Sequence, residues 1–341
     1  MRIHCVLVML CVFLSIKSFS QCCGGGGGSP IAGGASQGVL LEKQMEVNSN
    51  FQYINTNKFY SGNKPDTNFL DNYNSKYVYT RLAYGLSKNL TFSLETGYWL
   101  NKTQIGLHKV DTNSSTGIGD LIIFPRYDIF KITKNSKQTE LTVGLGFKIP
   151  LGSYNDSSKH ILIQEPVLPN EIYYSTKTLS VQTSSGAHDL IFYLFFYRGN
   201  NIKKLNFFAN AIYIKKGWNP IGEKIGDYAS VGLFASKTFL KKLGITMQLK
   251  GEWADKMQLN KTVYLNSYPN YNPEATGFRK VFIVPQVSYT VKKLTFYLLS
   301  EIPLYQEMIK TQISSQYQMA FGISYRFYLA DPTKKSESES K

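Results

Sequence analysis

Apolar and polar positions alternate with period two along most of this chain. Near the C-terminus Tyr317, Met319, Phe321, Ile323, Tyr325 and Phe327 alternate with Gln318, Ala320, Gly322, Ser324 and Arg326. Successive side chains of a strand point to opposite faces, so this segment is a strand with one wholly apolar side and one small or polar side. Leu90, Phe92, Leu94, Thr96 and Tyr98 alternate in the same way with Ser93, Glu95 and Gly97. Leu141, Val143, Leu145, Phe147 and Ile149, and again Ile245, Met247, Leu249, Gly251 and Trp253, repeat the pattern. About twelve such segments recur, at 43–55, 75–87, 90–101, 117–131, 139–150, 188–199, 204–215, 227–239, 243–254, 279–291, 293–304 and 314–328. Each is near the roughly 9–11 residues with which a tilted strand crosses a bilayer.

The connections alternate in length. Short polar turns fall at Ser87-Lys88-Asn89, Thr133 to Gln138, Gly199 to Lys203, Leu240 to Leu243 and Val291 to Lys293. Long polar loops fall at 56–74, 102–116, 151–187, 216–226, 255–278 and 305–313. Short turns on one rim and long loops on the other are the layout of an outer-membrane barrel. Composition agrees: charged residues are 18%, aromatics 14%, with 24 Tyr and 21 Phe. Disorder needs the opposite balance. No stretch after the first twenty residues is apolar enough for a spanning helix. In hydrocarbon every backbone N–H and C=O must be paired, which leaves a closed barrel. The predicted fold is therefore all-β, an antiparallel transmembrane β-barrel of about twelve strands with short periplasmic turns and long extracellular loops. A secreted two-sheet sandwich is the alternative, but it does not call for such tyrosine enrichment. Tyr98-Trp99, Trp218 and Tyr228 fall near strand ends, where amphipathic rings suit an interfacial belt.

Residues 1–20 read as a cleaved signal peptide, with Arg2 as the positive region, Cys5 to Leu14 as the apolar run, and Ser18 and Ser20 before the cut. Residues 21–42 form a Gly-rich periplasmic lead-in, 43–328 the barrel, and 329–341 a disordered tail of Lys, Glu and Ser. Cys22-Cys23 ahead of Gly24 to Gly28 fits an exposed flexible segment; a lipidated cysteine and a metal site fit less well, since two thiols fall short of four ligands. The formal charge is +15, and loss of Arg2 and Lys17 with the signal leaves +13. Much of that excess flanks the short turns, among it Lys88, Lys131, Lys134, Lys137, Arg198, Lys203, Lys204, Lys237, Lys241, Lys242, Lys292 and Lys293. Such a rim suits anionic headgroups. No nucleic-acid motif accompanies it, so outer-membrane lipid is the expected partner and nucleic acid is not.

At Gly117-Ile118-Gly119-Asp120 the chain begins to resemble a known group, the phenol-degradation-pathway (MetA-type) family of outer-membrane barrels, found in Bacteroidota-like bacteria. Gly119-Asp120 opens a strand and Pro150-Leu151-Gly152 closes the next, with Leu151 where the family pattern has Thr. Gly186-Ala187-His188-Asp189 follows the long loop. Pro285 and Pro303 sit in consecutive strands, and Gly322 to Phe327 form the last one. The similarity covers roughly 75–328. It implies a barrel that passes small, often aromatic or apolar, compounds.

If the oily face meets lipid, the other face lines the lumen. That set holds Tyr79, Arg81, Glu95, Asp120, Arg126, Asp128, Glu140, Lys148, Asp189, Lys250, Glu252, Glu301 and Arg326. Both signs are present, so paired charges across neighbouring strands are expected, either as mere filling or as a polar constriction. Two strands break the alternation. Ile122 and Phe124 in one, and Ile191, Tyr193 and Phe195 in the other, turn an apolar face inward as well. This gives tight aromatic packing, a plug, or an apolar wall along a conduit. Catalysis is the rival class: Ser184 and Ser185 lie close to His188-Asp189, while His108 and His160 sit in loops, but no nucleophile elbow frames them. No Walker loop, dinucleotide fingerprint or zinc spacing is present, so no cofactor or metal is expected. The sequence thus points to passive passage of small apolar or aromatic solutes, with a closed scaffold barrel as the alternative and a hydrolase behind both. It does not give the oligomeric state.

Overall fold

Alternation in the sequence becomes alternation in exposure. In the strand Asp189–Asn200, Ile191, Tyr193 and Phe195 are 1%, 5% and 3% exposed, whereas Leu190, Phe192 and Leu194 are 43%, 46% and 45% exposed. The computed structural model describes residues 38–329 except 69, 110–111, 163–170, 201, 203, 241, 261–272 and 317. The signal peptide, Cys22-Cys23, the Gly-rich run and nearly all of the tail lie outside the described residues, as do Tyr317, Lys203 and Lys241.

Among the described residues, twelve antiparallel strands form the barrel: β1 Gln44–Thr56, β2 Leu70–Gly85, β3 Leu90–Gly106, β4 Leu121–Lys134, β5 Lys137–Ile149, β6 Asp189–Asn200, β7 Leu205–Lys215, β8 Tyr228–Phe239, β9 Leu243–Ala254, β10 Phe278–Val291, β11 Leu294–Ile313 and β12 Gln318–Tyr328. Each pairs with its neighbours in chain order. β12 then pairs with β1, from Gln44↔Tyr328 to Ile54↔Gln318, so the sheet has no free edge. Closure satisfies the backbone without water and lets the outer apolar set face acyl chains.

The short rim is built from tight turns. Asn135 and Ser136, between β4 and β5, both take positive φ (50° and 60°), which matches the twist of the flanking strands. The long rim carries accessory hairpins, among them Ser157–Leu162 with Glu171–Thr176, and Phe59–Gly62 with Lys64–Asp66. Three barrel strands outrun the sequence reading. β2 starts at Leu70, β3 continues to Gly106 and β11 to Ile313. Their extensions carry polar residues on both faces, such as Asp71 and Asn72, Lys102 and Thr103, and Gln306 and Glu307. The backbone pairing continues there while the oily stripe has ended. Residues 117–120 are not the start of β4: Asn113–Ile118 is a separate short strand against β3.

Two prolines mark a weak seam. The β10–β11 register runs through Phe282↔Pro303 and Ile283↔Ile302 and resumes only at Gln286↔Leu299, because a ring nitrogen donates nothing to the ladder. Gly97 marks a close approach: a Cβ there would land on the Tyr77 ring.

Candidate functional site

The lumen has two unlike walls. The polar wall is carried by β12, β1, β2 and β3. On β1 the inward set is Glu46, Asn48, Asn50 and Gln52, each 1–2% exposed. Glu46 is the pivot. One carboxylate oxygen accepts from Arg81 Nη2 at 2.5 Å, the other from Arg326 Nε at 2.5 Å. Tyr79 donates to Glu95 Oε2 at 2.6 Å, and Ser93 to Glu95 Oε1 at 3.1 Å. Charges this deep are tolerable only when each is paired and hydrogen-bonded.

The apolar wall is carried by β4 and β6 to β11. Ile122, Phe124, Ile191, Tyr193 and Phe195 form one contiguous cluster with Phe208, Ile212, Ile214, Tyr228, Ala254, Phe278 and Met308. The Phe124 and Tyr193 rings meet edge-on at 5.6 Å, Tyr193 and Phe195 lie 6.4 Å apart, and Phe195 reaches Phe208 at 6.2 Å. Gly144 and Gly146 on β5 leave room for Phe124, whose ring a Cβ at either position would crowd at 2.9 Å. A buried cation sits beside this cluster on the same strand as Phe124. Arg126, 3% exposed, lies over the Phe124 ring at 5.7 Å.

Three ion clusters cross-link neighbouring strands on the β4 to β11 side. Toward the short rim, Thr142 donates to Asp128 at 2.6 Å, and Lys131 pairs with Asp128 at 3.6 Å and with Glu140 at 3.0 Å. The chain enters the lumen beside this cluster: a Cβ on Gly38 would strike Glu140, and Leu40 N–H donates to Thr91 Oγ1 at 2.7 Å. Midway up the apolar wall, Lys250 pairs with Glu252 at 2.9 Å and Glu301 at 2.6 Å, while Tyr228 donates to Glu252 at 2.8 Å. Near the long rim, Lys148 pairs with Asp120 at 2.9 Å and Asp189 at 3.0 Å, and Asp189 also pairs with Lys216 at 3.0 Å. Arg81, Glu95, Arg126, Asp128, Glu140, Lys148, Asp189 and Lys250 are all buried, whereas the side chains of Asp120, Glu301 and Arg326 are partly open.

Sequence reading does not single out Glu46; the strap described next belongs to the long loop 151–187, whose length lets it fold inward or cover the mouth. The inward phase of β1 was available: Glu46, Asn48, Asn50 and Gln52 alternate with Met45, Val47, Phe51 and Tyr53. Two aromatics expected in the interfacial belt face inward instead. Trp99 is buried and donates to the Thr183 carbonyl, and Tyr228 is buried against Glu252, because both fall on the lumen phase of their strands.

A strap, residues 177–187, folds over the mouth at the long rim. It has no periodicity and is held by its carbonyls. Tyr73 O–H donates to Ser180 O at 3.2 Å, Lys102 Nζ to Gln182 O at 2.7 Å and Trp99 Nε1 to Thr183 O at 3.1 Å. Gln182, fully buried, closes a double link with Asp156. The strap covers the polar side of the mouth. Beside it a vestibule of about 650 Å³ stays open, with Leu179 of the strap, Phe59, Leu70, Ile225, Met257, Phe278 and Ile313 in its lining.

The same strap decides the serine–histidine question. Ser184 donates to Asp120 at 2.5 Å, and Ser185 accepts from Lys148 Nζ at 2.6 Å. Lys148 is itself held by Asp120 and Asp189. His188 turns outward and stacks on Phe147 at 5.4 Å, away from both serines. Among the described residues no group of His, Cys, Asp and Glu is arranged to hold a metal.

One rim carboxyl makes a pH prediction. Partial burial pushes Asp227 up, but hydrogen bonds from Lys215 Nζ, Lys216 N–H and Tyr213 O–H, with the Lys224 charge, outweigh it and hold its pKa down to about 2. The folded value lies below the ordinary 3.8, so this contact stabilises the rim above about pH 4 and is lost as pH falls through about 2. A carbon-13 titration of the Asp227 carboxyl should give a midpoint near 2; one near 4 would contradict the contact.

Residues 29–161 match the family described as Putative MetA-pathway of phenol degradation. The resemblance read from the sequence is thereby shown over the first five barrel strands. The fold is that of bacterial outer-membrane barrels. An outer membrane channel from Pseudomonas putida F1 matches with a TM-score of 0.62 at 11% identity, covering 86% of this chain and 99% of that one. A FadL homologue from Pseudomonas aeruginosa gives a TM-score of 0.41 at 6% identity over 92% of this chain and 99% of its own. The NanC porin gives 0.40 at 10% identity, over 82% and 98%. No curated protein sequence matches the chain.

Proposed function

We propose that this protein is an outer-membrane channel for passive passage of small apolar molecules, aromatics among them. The supporting observation is continuity. Phe278 and Ala254 line the vestibule and belong to the same apolar cluster as Tyr193, Phe195 and Phe124 deep in the lumen. A solute leaving the vestibule therefore stays against apolar side chains. The inward rings of this cluster are packed and almost closed to solvent, so passage proceeds by displacement of rings and not through a standing water column. Short turns and the lead-in lie in the periplasm, after signal cleavage near Ser20, and the vestibule opens outward. The fold, the family match and the outer-membrane channel of similar architecture support this reading.

The ring packing also favours a second reading, a closed scaffold barrel. Uptake separates the two. In vesicles whose outer leaflet carries lipopolysaccharide, which slows apolar diffusion, the purified protein should accelerate toluene uptake over protein-free vesicles while ionic conductance stays near baseline. Toluene uptake at the protein-free rate would favour the scaffold.

A further inference from the structure

The vestibule is larger than a single aromatic ring requires. Its volume is about 650 Å³, whereas a cavity of about 150 Å³ already takes benzene. It falls within the roughly 300–1,000 Å³ range of sites that enclose whole organic ligands. Its walls are fixed in place. Gln312, 5% exposed, donates to Gly277 O at 2.8 Å and Ile309 O at 2.7 Å, and Met257 N–H donates to Thr276 Oγ1 at 2.8 Å. Gly277 takes φ +87°, and a Cβ there would press on Asp255, Lys256 and Ile309 at 3.1 Å. Thr178 anchors the strap side through Gln104 at 3.0 Å. A preformed apolar cavity loses little ordering entropy when it is filled.

Its charged lining is lopsided in availability. Asp255 accepts from the Lys256 N–H at 2.8 Å. Lys310, exposed on β11 at a positive φ of 57°, makes no ion pair within 4 Å among the described residues, although its charge reaches Glu274, which is itself paired with Lys256 at 2.7 Å. The cavity thus offers Phe59, Leu179, Ile225, Met257, Phe278 and Ile313 to an apolar body, and one available ammonium to a head.

We infer that the vestibule is a binding site for an anionic amphiphile, with an apolar body of about a dozen carbons in the cavity and a carboxylate-type head at Lys310. This rests on reading the vestibule as the outer entrance of the lumen and adds the class of molecule held there.

Isothermal titration of the full protein in nanodiscs, against protein-free nanodiscs, tests it with three probes: dodecanoate, dodecanol and benzoate. Dodecanoate should bind saturably, and benzoate, with the same head and a smaller body, at least tenfold more weakly. Lys310→Met should weaken dodecanoate by up to about fivefold, the range of a solvent-exposed ion pair, and leave dodecanol unchanged. Met257→Asp and, independently in another loop, Ile225→Asp should each remove both long-chain probes. No saturable dodecanoate binding, equal binding of benzoate, or an identical loss of dodecanoate and dodecanol in Lys310→Met would overturn the site. Dodecanoate binding without toluene uptake would remove passage and keep the site; toluene uptake without dodecanoate binding would do the reverse.

Discussion

Glu46→Ala lowers the unfolding free energy of the barrel by about 3–5 kcal/mol, the usual cost of removing one partner from a buried, hydrogen-bonded charge cluster. Glu46 accepts from Arg81 and Arg326 at 2.5 Å each, and its side chain is 2% exposed. Its loss leaves Arg81, itself 2% exposed, without its carboxylate partner. Denaturant unfolding in phospholipid vesicles reads the change as a shift of midpoint at constant slope. Replacing Glu46 and Arg81 together by methionine should recover much of the loss, since no charge on that pair is then stranded. By contrast, Glu274→Ala breaks an exposed pair, Lys256–Glu274 at 2.7 Å with side chains 41% and 59% open, and should shift nothing measurable. A Glu46→Ala protein as stable as wild type would mean that the polar wall is hydrated in the membrane and that its pairing contributes little.

The barrel was legible because its driving pattern is local. A strand that must face lipid on one side writes its phase into every second residue, and turns such as Asn135-Ser136 write the ends. Strand extents were legible only as far as the oily stripe goes, so the polar prolongations of β2, β3 and β11 were read as loops. The apolar wall was partly legible, through β4 and β6, where both phases are apolar. Its continuation onto Phe208, Phe278 and Met308 depends on which strands face one another across the lumen, and that is a property of closure. The pivot Glu46 had a periodic signal. The strap had none: Ser180, Gln182 and Thr183 are held through their carbonyls, which every residue possesses, by Tyr73, Lys102 and Trp99 from strands about 80 or more residues away in sequence.

The second large effect falls on Tyr193 and Phe195. Both are buried on the apolar wall, between Phe124 and Phe208, and both lie on the proposed path from the vestibule toward the short rim. Tyr193→Asp with Phe195→Asp places two carboxylates on that path. Each costs well over the ~1.4 kcal/mol that slows a step tenfold when an apolar molecule must displace its solvation or partner. Phe195→Leu, which keeps the wall apolar, serves as the companion variant and should retain uptake. Heat-modifiable migration on a gel shows whether each variant remains a folded barrel.

Toluene uptake into lipopolysaccharide-bearing vesicles, wild type beside Tyr193→Asp/Phe195→Asp, tests the apolar route most directly. A fall of at least about tenfold in the double variant, with Phe195→Leu near wild type, is the predicted result. Equal uptake by wild type and the double variant would contradict it.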